Sequence, residues 1–168
     1  PATLAIDAWR LIVDAPVSYE ADTTVVNGGL VTHGDNSTAE TFTMDLAIDG
    51  DLSIDSSSSF DVDGYGYRYN QGPGASLSNY DGAGHGGTGG DEASSGYGTG
   101  MGPTYGSHTA PTNIGSGGRQ SSSPNDGGGA IKLTVSGVVS NDGAISANAD
   151  ASTSPAGGPS GGSVWITA

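Results

Sequence analysis

Six aspartates fall between positions 45 and 63, and five of them, Asp49, Asp51, Asp55, Asp61 and Asp63, alternate with other residues along what reads as strand and corner. Carboxylate oxygens spaced this way are hard ligands suited to calcium. Neither the full EF-hand spacing nor the glycine-rich nonapeptide of calcium-binding β-rolls is present. The competing expectation is acidic decoration that blocks edge pairing and aids solubility, or suits a salty medium. Paired carboxylates also serve as acid and base in glycoside hydrolysis, but basic partners are few: Arg10, Arg68, Arg119 and Lys132. No catalytic residue is assigned, and the chain is expected not to be an enzyme. His33, His85 and His108 lack the spacing of a metal site. No Ser sits in a G-x-S-x-G elbow, and no glycine run ends in the Lys-Ser/Thr of a phosphate loop. Asn36-Ser37-Thr38 is a sequon for N-glycosylation, and Ser152-Thr153-Ser154 beside Pro155 offers sites for O-linked sugar.

The elements that would position these groups are short strands. Leu11-x-Val13-Asp14-Ala15-x-Val17-Ser18, Leu46-x-Ile48-Asp49-Gly50-x-Leu52-Ser53 and Leu133-x-Val135-Ser136-Gly137-x-Val139-Ser140 superpose without gaps. Large aliphatics on every second residue mark a strand with one buried face. The small fifth residue suggests a corner, where glycine is free to adopt a positive φ. A further alternating stretch follows the second and third copies, at Phe60-Asp61-Val62 and Ile145-Ser146-Ala147. Strand, corner, strand, turn, strand is the rhythm of an all-β parallel β-helix, a solenoid in which each coil covers the next. The alternative is an antiparallel β-sandwich, for which Asn141-Asp142-Gly143 is the best hairpin signal. Helix is expected to be nearly absent. Lys132, out of phase with Ile131 and Leu133, is expected on the surface.

From Gly64 to Gly129 the rhythm stops: 21 of these 66 residues are glycine, and six of the seven tyrosines lie here. Ordering such a stretch costs roughly 1–2 kcal/mol per residue, so a folded tract needs backbone hydrogen bonds, tyrosine rings on glycine backbone, bound ions or contacts between copies. Gly84, Gly87, Gly90, Gly96 and Gly102 share a three-residue register that would suit local polyproline II packing. The expected organisation is one module of residues 1–168: N-terminal coils over 1–63, a Gly/Tyr-rich excursion over 64–129, and C-terminal coils over 130–168.

Eighteen acidic residues face four Lys and Arg, a formal net charge of −14. That balance repels nucleic acid and anionic membranes. There is no cysteine, which removes disulfides, thiolate metal sites and a Cys nucleophile. No long apolar run suggests membrane insertion or a signal peptide, and Pro1 suggests either processing or a trimmed chain.

Read tail to head, Val164-Trp165-Ile166-Thr167-Ala168 followed by Pro1-Ala2-Thr3 matches Leu11–Ser18 at nearly every apolar position. The expectation is a chain cut inside one repeat, whose seam (Pro1, Ala2, Thr3, Leu4, Val164, Trp165, Ile166, Ala168) joins copies head to tail as a homopolymer. Trp165, flanked by two core residues, should point outward, toward a subunit contact or the chain's own glycine tract. The segments Gly84-His85-Gly86-Gly87, Tyr105-Gly106-Ser107, Pro111, Gly115-Ser116-Gly117-Gly118 and Gly127-Gly128-Gly129-Ala130-Ile131, then Ser146-Ala147-Asn148, resemble the glycine-rich parallel β-helix repeats of large bacterial extracellular, cell-surface proteins. The likeness covers about residues 82–168; the first 60 residues share only the apolar rhythm. It implies a right-handed β-helix with a glycine-rich excursion, located outside the cell, on its surface or in an appendage. The functional expectation is a structural subunit of an extracellular filament or surface fibre. The alternative is an adhesive module whose exposed tyrosines bind glycans.

Overall fold

The computed structural model describes residues 3–91, 100–119, 125–151 and 157–168. Within them lie twelve strands: β1 (Thr3–Asp7), β2 (Arg10–Ile12), β3 (Val17–Tyr19), β4 (Asp22–Val26), β5 (Leu30–Thr32), β6 (Met44–Ile48), β7 (Leu52–Ile54), β8 (Ser59–Asp61), β9 (Ala130–Val135), β10 (Val139–Asn141), β11 (Ala144–Ser146) and β12 (Ser163–Thr167). Each strand pairs in parallel with the strand three places away, giving three four-stranded sheets: A (β1-β4-β7-β10), B (β2-β5-β8-β11) and C (β3-β6-β9-β12). The chain therefore winds as four coils of three strands, a parallel β-solenoid. The antiparallel sandwich is overturned, since every pairing between these strands is parallel. The hairpin expected at Asn141-Asp142-Gly143 is instead a corner between β10 in sheet A and β11 in sheet B, closed by the Gly143 N–H on Asn141 Oδ1 at 3.1 Å.

Period-two patterning turns alternate side chains of each sheet to the interior. Phe60, Val25, Val31, Leu52 and Leu133 are fully buried there. The second and third sequence copies stack as aligned: Leu46 pairs with Leu133 and Ile48 with Val135, and Leu52 with Val139. The first copy is displaced. Leu11 pairs with Val31 in sheet B, and the true partner of Leu46 is Val17. Leu11–Ser18 is the corner from sheet B to sheet C, whereas the other two copies are the corner from C to A. Both corners need an apolar pair, a small residue and another apolar residue, so local pattern cannot tell them apart.

The small residue at the C-to-A corner has a steric cause. A Cβ on Gly137 would lie 2.2 Å from Asp51 Oδ1, and one on Gly50 would lie 2.6 Å from Asp22 Oδ1. Those carboxylates fold over the next coil, accepting from Val138 N–H at 2.8 Å and Asp51 N–H at 3.0 Å.

The long connections leave from one corner, between sheets B and C. Coil 1 turns there through residues 13–16, coil 2 through 33–43, coil 3 through 62–129 and coil 4 through 147–162. The last three pack together beside the solenoid as a lateral lobe. Arg68 N–H donates to Ser37 O, Gly128 N–H to Ser160 O, Ala83 N–H to Gly158 O and Arg119 N–H to Gly157 O. Residues 62–129 contribute no named strand among the described residues; extended glycine segments are bonded sideways through their backbones. Gly74, Gly84 and Gly102 form a closed set: a Cβ on Gly74 would lie 1.9 Å from Gly84 O, on Gly84 2.5 Å from Gly102 O, and on Gly102 2.0 Å from Gly74 O. The three-residue register is only partly used. A Cβ on Gly87 would meet nothing closer than 3.8 Å and one on Gly90 nothing within 4 Å, while Gly96 lies outside the described residues.

Candidate functional site

Coils 2 and 3 are covered above and below, and their inward residues, from Val25 to Val135, are at most 3% exposed. The end coils are not. On coil 1, Ile6 and Val13 are buried, but Leu4, Leu11, Val17 and Tyr19 are only partly so, as are Val139 and Ile145 on coil 4. Val164 and Ile166 pair with Ile131 and Leu133, hence point inward, yet each is 40% exposed. Each end therefore presents three parallel strand edges around a partly covered, largely apolar floor. The outer edges of β1, β2 and β3, and of β10, β11 and β12, pair with no strand among the described residues. Unpaired edges of this kind are templates for added strands.

The expected seam residues fall on these two ends. Thr3 and Leu4 open β1, Val164, Trp165 and Ile166 lie in β12, and Ala168 follows it; Pro1 and Ala2 lie outside the described residues. Trp165 does point outward, across from Lys132. The Lys132 ammonium lies 5.7 Å from the indole centroid and 3.0 Å from Asp45 Oδ2 on β6. Asp45, Lys132 and Trp165 make one outward column of sheet C.

The five aspartates weighed as calcium ligands sit at three corners, Asp49 and Asp51 at one, Asp55 at the next and Asp61 and Asp63 at the third, and bond neighbouring coils or their own turns. Asp49 accepts from Ser136 Oγ at 2.7 Å and Asp51 from Val138 N–H. Asp55 accepts from Ser58 Oγ and Asn27 N–H, both at 2.7 Å, and these bonds, with that from Ser57, hold its carboxyl at about 2. Asp61 accepts from Asp63 N–H at 2.9 Å, and Asp63 from the backbone and side chain of Asn148. Among the described residues no group of three or more His, Asp or Glu is gathered to hold a metal ion.

Asn36, expected as a glycan acceptor, is 2% exposed. Its amide donates to Phe42 O and Tyr65 O, both at 2.8 Å, while Oδ1 accepts from Thr41 and Phe42 N–H. A sugar on Nδ2 would break a donor bond inside this pin, which ties the coil-2 loop to the lobe. Ser152, Thr153, Ser154 and Pro155 lie outside the described residues.

His33 is fully buried and joins coil 2 to the start of β9. Its Nδ1 donates to Gly34 O at 2.7 Å, so Nε2 accepts from Ala130 N–H at 3.1 Å. Burial pushes its pKa down, against the Gly34 carbonyl and the charges of Asp14 and Asp35. His85 rests on the Tyr105 ring, centroids 4.7 Å apart, and reaches Gly161 O at 2.9 Å. Tyr105 donates to Ile114 O and receives Ser116 Oγ–H at 3.0 Å; burial raises its phenol to about 12. His108 is exposed. No sequence spacing announced these locks, because each links segments far apart along the chain.

Among the described residues no helix is long and apolar enough to cross a membrane. Compared with models of known protein families, with curated proteins and with solved structures, the chain matches none.

Proposed function

We propose that this chain is a structural subunit of an extracellular filament or surface fibre, built by stacking solenoid ends head to tail. The observation that carries the reading is the pair of end coils, where Leu4, Leu11 and Val17 on coil 1 and Val139, Ile145, Val164 and Ile166 on coil 4 stay partly exposed while the inward residues of coils 2 and 3 are sealed. Completing them with a further coil removes apolar surface from water and satisfies free strand edges. A head-to-tail contact joins two different surfaces, so it propagates instead of closing into a pair. On this reading the role is mechanical and no catalytic group is assigned.

A second reading, an adhesive or carbohydrate-binding module of a large surface protein, draws on the lateral lobe, where Tyr69 and Tyr80 are 42% and 45% exposed. Exposed aromatic faces suit sugar rings. Electron microscopy of native material, before and after denaturant and a calcium chelator, with the mass of the released species, tests the choice. Fibres that release a species of one module's mass support the non-covalent polymer. Fibres that release only very long chains make the seam covalent. Monomers at every concentration, together with a glycan-dependent change in tyrosine signals, would favour adhesion.

A further inference from the structure

We infer that the occupant of each open end is a second copy seated in the register of the internal coils, so that all three sheets run on across the joint; this rests on the end-to-end reading above. Four coils follow one rule. In sheet A the inward columns are Leu4, Thr23, Leu52, Val139 and Ile6, Val25, Ile54, Asn141. In sheet B the column is Leu11, Val31, Phe60, Ile145. In sheet C it is Val17, Leu46, Leu133, Ile166. No strand changes sheet from one coil to the next, so the relation between successive coils is a step along the axis with no change of face.

A fifth coil obeying that rule, supplied by the next copy, sets its Leu4 on Val139, its Leu11 on Ile145 and its Val17 on Ile166. These three pairs are apolar, and each covers a residue now half-open; the incoming Ile6 comes over Asn141, the polar end of its column. Slipping one strand by one residue would turn its outward side chains onto the apolar floor. The flat sheets and their corners oppose a two-residue slip, because sliding along one sheet displaces the other two sideways.

The outward column of sheet C gives the joint a marker. Val17 pairs with Leu46, so Pro16 stands in line with Asp45, Lys132 and Trp165. The incoming Pro16 meets the indole face turned away from Lys132, an apolar ring on an aromatic one. The incoming Arg10, which shares a column with Leu30, Ser59 and Ala144, comes over Ala144 with Asp142 diagonally adjacent, a charge complement at cross-strand distance.

Native cysteine is absent, so disulfide trapping reads the register directly. Paired residues on adjacent strands stand about 4.8 Å apart, within the span a disulfide bridges. The double variant Pro16→Cys with Trp165→Cys, oxidised at a concentration where the protein associates, is expected to give a ladder of linked multimers on non-reducing gels. Trp165→Cys with Ser18→Cys samples a two-residue slip, and Trp165→Cys with Ala5→Cys a stack rotated by one face; both should stay largely uncrosslinked. A ladder from either of these pairs and not from the first overturns the register while leaving end-to-end assembly standing. No ladder from any pair, with monomers by sedimentation of both the wild type and the single variants, overturns both.

Discussion

Replacing Gly102 by alanine tests whether the lateral lobe is held by backbone packed on backbone. The new Cβ would lie 2.0 Å from Gly74 O and 2.3 Å from Gly84 N, so these segments must part by about 1 Å to reach the 3.0 Å that real Cβ atoms keep. Three bonds run through the contact: Gly84 N–H to Gly74 O at 2.8 Å, Gly89 N–H to Gly102 O at 2.9 Å and Gly102 N–H to Gly82 O at 3.0 Å. Overpacking costs about 1–3 kcal/mol, and a buried amide left unpaired about 1–3 kcal/mol. With one of the three bonds lost, the expected destabilisation is about 2–6 kcal/mol, at its upper end comparable to the whole stability of many domains. Gly158→Ala is the matched control: nothing lies within 4 Å of its Cβ, so it should be neutral or stabilising by about 0.4–1 kcal/mol through a less flexible unfolded chain. Urea titration followed by tyrosine near-ultraviolet dichroism and by tryptophan emission separates lobe from solenoid, since six of seven tyrosines lie in the glycine tract while Trp9 and Trp165 sit on coils 1 and 4. The tyrosine transition of Gly102→Ala should move to much lower urea than the tryptophan transition. A Gly102→Ala midpoint equal to that of Gly158→Ala would refute the packing argument.

The His33 lock should fail in acid. Its folded pKa lies below the ordinary 6.5, so the stability it contributes is complete above about that pH and is lost as pH falls below it; thermal melts from pH 8 to 5 should drop more for wild type than for His33→Gln. At the other extreme, Tyr105 ionises at about 12 when folded against an ordinary 10.0, so its contribution is complete below pH 10.0 and lost as pH rises toward 12; Tyr105→Phe should weaken that alkaline step in hydrogen exchange of the lobe. Asp51→Ala removes the acceptor of Val138 N–H and should cost about 0.5–1.5 kcal/mol in urea titration, with Asp51→Asn costing less because it keeps an acceptor oxygen. Glu20 and Asp49 flank the same corner as Asp22 and Asp51, stacking carboxylates coil on coil; raising salt from about 10 mM to 0.1 M shortens the screening length from about 30 to 10 Å, so melting temperature and end-to-end association should both rise.

The solenoid was legible because its rule is local. Alternation in Leu46–Ile48 and Leu133–Val135 names the buried face without reference to anything distant, and the two copies stack as the alignment sets them. The first copy was misplaced for the same reason, since a triangular coil imposes nearly the same local demand at more than one corner. The acidic run misled differently. Asp49, Asp51, Asp55, Asp61 and Asp63 look convergent along the chain, but winding divides them among three corners, where each accepts hydrogen bonds from an adjoining coil or its own turn. Asn36 shows the limit of motif reading, because a sequon does not reveal that both ends of the amide are bonded inside a loop.

The glycine tract was the least legible part, and the reason bears on what holds it. Composition says that few side chains are available to pack, which argues for disorder, but it does not register how closely backbones can approach once side chains are absent. Gly74, Gly84 and Gly102 meet mutually, yet the step from 74 to 84 breaks the three-residue register, so periodicity alone would never group them. The lobe is also tied at points unrelated to its glycine content: His33 on Ala130 N–H, Asn36 on Tyr65 O and Glu40 beside Asn113. The first tie joins the coil-2 loop to the start of β9, and the other two join it to the coil-3 connection. The excursion is therefore clamped at both its departure from β8 and its return at β9, which limits the chain entropy that sparse apolar packing must offset. A lobe clamped in this way rides on coils 2 to 4 and leaves the tight corner of coil 1 clear. That arrangement sets the tyrosine-bearing surface at one edge of the solenoid, where a stacked copy would repeat it at intervals along a fibre, so the structural and adhesive readings can hold for the same assembly.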